Sequence, residues 1–194
     1  MKTVETTNPV EAVSPKRAPS NPVNLSSVQP PAVPCAIALG SNLGDSRQVL
    51  ASAVQRLGDL EGITVTAQSS VYKTAPVGPP QPDYLNACVL TETRLSPQAL
   101  MAHLLALEAE FGRVRQERWG PRILDLDILF YGDQVITEPD LHIPHPRLRE
   151  RAFVLVPLAE IAPDWVDPVT AQSVAQLCQA INCHGVERLA ISLT

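Results

Sequence analysis

The sequence predicts an α+β fold: an antiparallel sheet with two helices packed on one face. Three observations carry that prediction. Short apolar or alternating runs read as strands, two stretches place apolar residues at helical spacing, and the elements follow the order β-α-β-β-α-β over residues 35–131. With 194 residues, 45% hydrophobic and 18% charged, the chain can build one core of ordinary domain size.

The first strand is the run Cys35-Ala-Ile-Ala-Leu39, which ends in Gly40-Ser-Asn-Leu-Gly44. Asp45 caps a helix on which Leu50, Val54 and Leu57 recur at helical spacing. Residues 62–72 alternate Ile63, Val65 and Ala67 with polar residues and read as one half-buried strand. The Pro-Gly stretch 75–82 is a loop, and 84–93 is the next strand. Ser96-Pro97 opens a second helix with serine at the N-cap and proline in the first turn; Leu100, Leu104, Leu107 and Phe111 form its apolar face and Gly112 stops it. Residues 125–131 form the closing strand, and Gly132-Asp133 turns the chain toward Val135-Ile136. This order is that of a ferredoxin-like βαββαβ sandwich. The remainder adds a short hairpin, a helical segment near 147–160 and a C-terminal helix over about 171–181.

Residues 1–34 are expected to be a disordered tail preceding a domain over 35–194. The tail holds seven prolines and neither an aromatic residue nor a glycine, so it cannot bury enough surface to offset its ordering entropy. It lacks the arginine-rich, acid-poor character of a transit peptide and the apolar region of a secretory signal. Four scattered cysteines do not make a disulfide framework, which points to a reducing, cytoplasmic setting. Cys178, Cys183 and His184 lack the second ligand pair that a metal cluster needs. No apolar run is long enough to span a membrane. A net charge of −5 and only three lysines among fifteen cations argue against a nucleic-acid binder.

Asp125-Leu126-Asp127 is the sharpest chemical signal. Residues two apart on a strand share a face, so both carboxylates project together, roughly 7 Å apart at the backbone. Such a pair suits Mg2+, which is held by one or two carboxylates and bridges substrate phosphates; a solvated strand end with arginine partners is the plain alternative. Seven of the twelve arginines fall between 113 and 151, a stretch without lysine, and the planar guanidinium matches phosphate oxygens bidentately. Seven acids share the stretch, so surface pairing can absorb some of them, Arg118, Arg147 and Arg149 first. Trp119 among Arg113, Arg115, Arg118 and Arg122 looks like a closing loop over a charged ligand, or a tryptophan packed on the domain. Glu108 lies near the C-terminal end of the second helix, where a carboxylate requires a partner. His145, held between Pro144 and Pro146, can donate to a phosphate or cap the local backbone. Tyr84 and Asn86 share a strand face, an aromatic plane beside an amide, suited to a flat heterocycle. Glycine-rich nucleotide loops of either common kind are missing, so a nucleotide would have to be held by metal and arginine.

The stretches Leu39-Gly-Ser-Asn-Leu-Gly44, Gln81-Pro-Asp-Tyr-Leu-Asn-Ala87, Gly112-Arg-Val-Arg115, Arg118-Trp-Gly-Pro-Arg-Ile-Leu-Asp-Leu-Asp-Ile128 and Ile143-Pro-His-Pro-Arg147, with Arg151-Ala-Phe153, run in this order over about 35–165. In them the chain resembles the 6-hydroxymethyl-7,8-dihydropterin pyrophosphokinase family of folate biosynthesis. The resemblance implies transfer of the terminal two phosphates of ATP to the pterin hydroxymethyl oxygen, with release of AMP. It implies two Mg2+ ions on Asp125 and Asp127, and phosphate contacts from Arg113, Arg122, His145 and Arg151. Arg115 and Trp119 would belong to the closing loop, and Glu108 to the nucleotide side. Tyr84 and Phe153 would sandwich the pterin, with Thr74, Val77 and Asn86 reading its edge. The implied enzyme is a monomer acting on small molecules, without nucleic-acid or membrane partners.

Three departures stand against the family pattern. The loop from Arg115 to Arg118 is one residue shorter than in some members, Pro146 replaces a tyrosine found in others, and residues 1–34 have no counterpart. A fused dihydropteroate synthase domain is not expected in a chain of this length. Two other classes remain as alternatives: a nucleotidyltransferase that releases pyrophosphate, and a non-catalytic ferredoxin-like module that binds nucleotide or RNA.

Overall fold

The structure, a computed structural model, describes residues 30–76, 79–112, 120–191 and 193. Strand β1 (Val33–Ser41) is followed by helix α1 (Ser46–Gly58), β2 (Ile63–Gln68), β3 (Tyr72–Thr74), β4 (Tyr84–Thr93), α2 (Pro97–Glu110) and β5 (Asp125–Tyr131). A hairpin of β6 (Ile136–Glu138) and β7 (Leu141–Ile143) comes next, then a single 3-10 turn (Leu148–Glu150), α3 (Ala152–Ile161), α4 (Val174–Gln179) and β8 (Val186–Arg188). The main sheet has the order β5-β1-β4-β3-β8, with β2 also on β4, and every pairing is antiparallel. The order β5-β1-β4-β2 is that of the expected ferredoxin-like sandwich.

Alternation along the strands divides the core into two layers. Cys35, Ile37 and Leu39 of β1, with Ala87 and Val89 of β4, pack with Leu50, Ala53 and Leu57 of α1 and Leu100, Leu104 and Leu107 of α2. Ala36, Cys88 and Phe130 face the other way, against Val154, Leu155 and Leu158 of α3 and Leu177 of α4. Trp165 stacks on Phe130, ring centroids 5.6 Å apart. The C-terminal helices therefore cover the second sheet face.

The helix signals hold. Asp45 accepts from the Gln48 N–H, Ser96 accepts from the Ala99 N–H, and Gly112 takes φ +82° just past α2, a conformation that favours glycine. Four expectations are corrected. The predicted single strand over 62–72 is two, because Ser69 and Ser70 turn aside: Ser69 Oγ takes the Cys88 N–H, and Ser70 donates its N–H and hydroxyl to Glu160. β1 starts at Val33, so the sheet takes in two residues expected in the tail. The C-terminal helix is shorter than predicted, starting at a Ser173–Gln176 capping box. Strand β8, paired with β3, was not expected. No helix among the described residues is long and apolar enough to cross a membrane.

Candidate active site

β5 presents the two carboxylates as its alternation requires: Asp125 and Asp127 are half-buried at the cleft face, while Leu126 and Ile128 enter the core. The strand between them is anchored from below. Glu108, only 1% exposed on the buried face of α2, accepts the Leu126 N–H at 2.7 Å. Glu108 was expected on the nucleotide side; among the described residues it sits under the carboxylate strand and holds its backbone. Across the sheet, Gly40 pairs with Asp125 on one side and Asn86 on the other. A Cβ at Gly40 would stand 3.4 Å from Asn86 Oδ1 and 3.9 Å from Asp125 Cβ, so glycine keeps the cleft floor low.

Cations surround the pair. Arg122 Nη1 donates to Asp125 Oδ1 at 2.7 Å, and Arg151 Nη1 donates to Asp127 Oδ2 at 3.3 Å. His145 Nε2 lies 3.7 Å from the same Asp127 oxygen. Its Nδ1 accepts the Arg147 N–H, so the neutral ring carries its proton on Nε2, toward Asp127. Burial and then the neighbouring Asp125 push the Asp127 carboxyl above its ordinary value, against the pull of His145, Arg151 and Arg122. Burial holds His145 below the ordinary imidazole value, although Asp127 pulls it upward. Two carboxylates on one strand face, one of them kept from ionising freely by burial, are a donor set that a divalent cation satisfies. Among the described residues no group of three or more His, Cys, Asp or Glu could hold a metal, so the fit is to a cation held by this pair and by ligand oxygens.

The local backbone explains why these groups meet. Between Ala36 and Ile37 of β1 the register with β5 shifts by one, leaving Leu129 as an extra residue in a bulge. The Leu129 carbonyl accepts the His145 N–H at 3.1 Å, next to a cis Ile143–Pro144 peptide, so the bulge docks the His145 segment beside Asp127.

The other end of the cleft is polar and aromatic. Asn86 Nδ2 donates to Thr74 Oγ1 at 2.8 Å, both side chains buried; β3 and β4 bring them together through the Tyr72–Asn86 and Thr74–Tyr84 pairs. Tyr84 on β4 and Phe153 on α3 line the same space, and the Arg151 guanidinium lies over the Phe153 ring at 5.6 Å. Thr74, Tyr84, Asn86, Arg122, Asp125, Asp127, Arg151 and Phe153 thus line one cleft of about 310 Å³. Arg147 and Glu150 line it too, and their 3.7 Å contact between exposed side chains is the surface pairing expected of Arg147. Arg113, Arg115, Arg118, Trp119 and Val77 lie outside the described residues.

One organising residue carried no role in the sequence reading. Asn42, 3% exposed, accepts the Arg122 N–H on Oδ1 at 2.8 Å and donates from Nδ2 to Gln81 Oε1 and the Pro82 carbonyl. Its own N–H bonds the Arg122 carbonyl at 3.0 Å. It fastens the arginine loop to the segment leading into β4. The signal was present in Gly40-Ser-Asn42, a short polar turn directly after a buried strand.

The family model described as 7,8-dihydro-6-hydroxymethylpterin-pyrophosphokinase (HPPK) matches residues 36–163. A 2-amino-4-hydroxy-6-hydroxymethyldihydropteridine pyrophosphokinase of Synechocystis sp. is 49% identical over 150 residues, covering 77% of this chain and 77% of that protein. One of Haemophilus influenzae is 45% identical over 154 residues, covering 79% of this chain and 96% of that protein. Among solved structures, wild-type Plasmodium falciparum HPPK-DHPS with SDX-DHP superposes with a TM-score of 0.64 at 14% identity, covering 81% of this chain and 48% of that one. This likeness is one of fold, and the chain spans about half the length of the solved structures it matches. On its sequence, the chain belongs to the 7,8-dihydro-6-hydroxymethylpterin-pyrophosphokinase family.

Proposed function

We propose that this cleft transfers pyrophosphate from ATP to the hydroxymethyl group of 6-hydroxymethyl-7,8-dihydropterin, releasing AMP, in folate biosynthesis. The observation that carries the reading is a single one: a carboxylate pair flanked by two arginines shares a cleft with a buried Thr-Asn pair and two aromatic rings. One end suits metal and phosphate, the other a flat polar heterocycle.

In this reading Asp125 and Asp127 would hold two Mg2+ ions, which would offset the negative charge of the phosphates. Arg122 and Arg151 turn from the carboxylates toward phosphate oxygens, and His145 offers its Nε2 proton to another. Tyr84 and Phe153 enclose the ring, while Asn86 and Thr74 meet its edge; a site built to hydrogen-bond a substrate rejects analogues that leave its polar groups unpaired. The pterin oxygen then forms a bond to the β-phosphorus as the bond from that phosphorus to the AMP oxygen breaks, and the hydroxyl proton is released. Arg113, Arg115 and Trp119 complete the phosphate side, and the protein acts as a monomer. This chemistry assigns no role to residues 1–34.

Incubation with ATP, Mg2+ and the hydroxymethyl-dihydropterin, followed for AMP, tests the proposal. AMP formed in step with pterin diphosphate supports it. Release of pyrophosphate would indicate nucleotidyl transfer instead, and the lack of any turnover would reduce the chain to a binding module.

A further inference from the structure

The sequence singled out Cys178, Cys183 and His184, and the proposed reaction uses none of them. Cys178 lies in α4 and Cys183 in the turn beyond it, yet their Sγ atoms stand only 3.8 Å apart, and both side chains are half-buried rather than sealed in the core. The Cys183 thiol also reaches back to the Cys178 carbonyl at 3.5 Å, so the intervening residues fold into a closed turn that keeps the sulfurs together. Cys35 and Cys88 are different: each is fully buried in the sheet. Among the described residues no third ligand completes a metal cluster here, which leaves thiol chemistry as the use of the pair.

We propose that Cys178 and Cys183 are a dithiol modification site, closing to an intramolecular disulfide by exchange with a low-molecular-weight disulfide. In the first step one thiolate attacks the small disulfide, forming a mixed disulfide and releasing one small thiol. In the second step the other protein sulfur attacks the mixed disulfide, forming the Cys178–Cys183 bond and releasing the second small thiol. Two protein thiols are oxidised, one small disulfide is reduced, and the two protons pass to the two released thiols. Forming the bond brings the sulfurs from 3.8 Å to about 2.05 Å. Burial, and then the contact with Cys183, push the Cys178 thiol up to about 11, so its own attack on a small disulfide is slow at neutral pH and quickens as pH rises.

The test treats the full chain, folded, with glutathione disulfide, then reads intact mass and the thiol-blocked peptide map. The expected product has lost about 2 Da, carries a peptide linking Cys178 to Cys183, and returns to the starting mass with dithiothreitol. Cys178→Ser and Cys183→Ser should each stop at a retained adduct of one glutathione, about 305 Da, because the resolving thiol is gone. A wild-type chain that keeps a glutathione adduct, stays fully reduced while the Ser variants take up glutathione, or links through Cys35 or Cys88 would overturn the proposal. Using two variants guards against one of them failing to fold.

Discussion

Two arginine–carboxylate arrangements near the C-terminal half of the chain look alike in sequence and differ in structure. Arg149 grips Asp167 with two hydrogen bonds of 2.6 and 2.8 Å, and that carboxylate, 0% exposed, also accepts from the Val169 N–H and the Thr170 hydroxyl. Arg151, two residues further on, reaches Asp127 with one bond of 3.3 Å, and the Asp127 side chain is 30% exposed. Burial alone raises both carboxyls. At Asp167 the hydrogen bonds from Arg149, Thr170 and Val169 outweigh it and hold the group below its ordinary value, whereas at Asp127 burial and Asp125 win. The first is a finished structural clamp. The second is a looser arrangement, in which a single 3.3 Å bond costs the arginine little to exchange for another oxygen partner.

Breaking the cleft pair is expected to have the largest effect. Asp125→Ala or Asp127→Ala should lower turnover by roughly 100-fold or more, about 3 kcal/mol, because charge stabilisation matters most as the phosphates rearrange. Melting without metal should stay near wild type, and circular dichroism with steady-state AMP assays reads both. Breaking the clamp should do the reverse. Asp167→Ala leaves the Arg149 guanidinium without its carboxylate and should cost about 3 kcal/mol of stability, measured by urea unfolding.

Acid sharpens the same contrast. Because Asp167 is held below its ordinary value, its contribution is complete above the unfolded-state value of about 4 and is lost as pH falls through the lower folded-state value. The melting temperature of wild type should therefore fall more steeply below about pH 4 than that of Asp167→Asn, which has nothing there to titrate. Equal slopes would mean that the clamp contributes nothing. The pterin end should respond in binding rather than chemistry. Asn86→Ala removes one member of a buried pair and should weaken pterin binding by about 10-fold, with kcat changed less. The smallest expected change is in Asp127→Asn, which removes a reluctant charge and should raise metal-free stability by at most about 1 kcal/mol.

Much of this was readable beforehand, and the rest has physical reasons. β4 and β5 match their predicted spans because alternation and turn residues bound them on both sides. Asp125 and Asp127 share a face for the same reason. The break between β2 and β3 was hidden because it is made by Glu160, some ninety residues away, collecting Ser70, Tyr72 and Arg188. β8 is a three-residue edge strand reading Val-Glu-Arg, too short to show a period. The Leu129 bulge leaves the hydrophobic pattern of β5 unbroken, so its docking of His145 could not be read. Arg149 was assigned to surface pairing, and only the fold shows that its partner is a buried carboxylate. Glu108 was expected to require a partner, and one of its partners is the Leu126 N–H, which a sequence pattern does not reveal.

The difference between the two pairs can be measured directly by calorimetric titration of a non-hydrolysable ATP analogue, with and without Mg2+, into wild type, Asp127→Asn and Asp167→Asn. The account predicts Mg2+-dependent binding in wild type and in Asp167→Asn at a temperature where that variant is folded, and a loss of most of the Mg2+ dependence in Asp127→Asn. Full Mg2+ dependence in Asp127→Asn, or its loss in folded Asp167→Asn, would contradict the assignment of the cleft carboxylates to the metal.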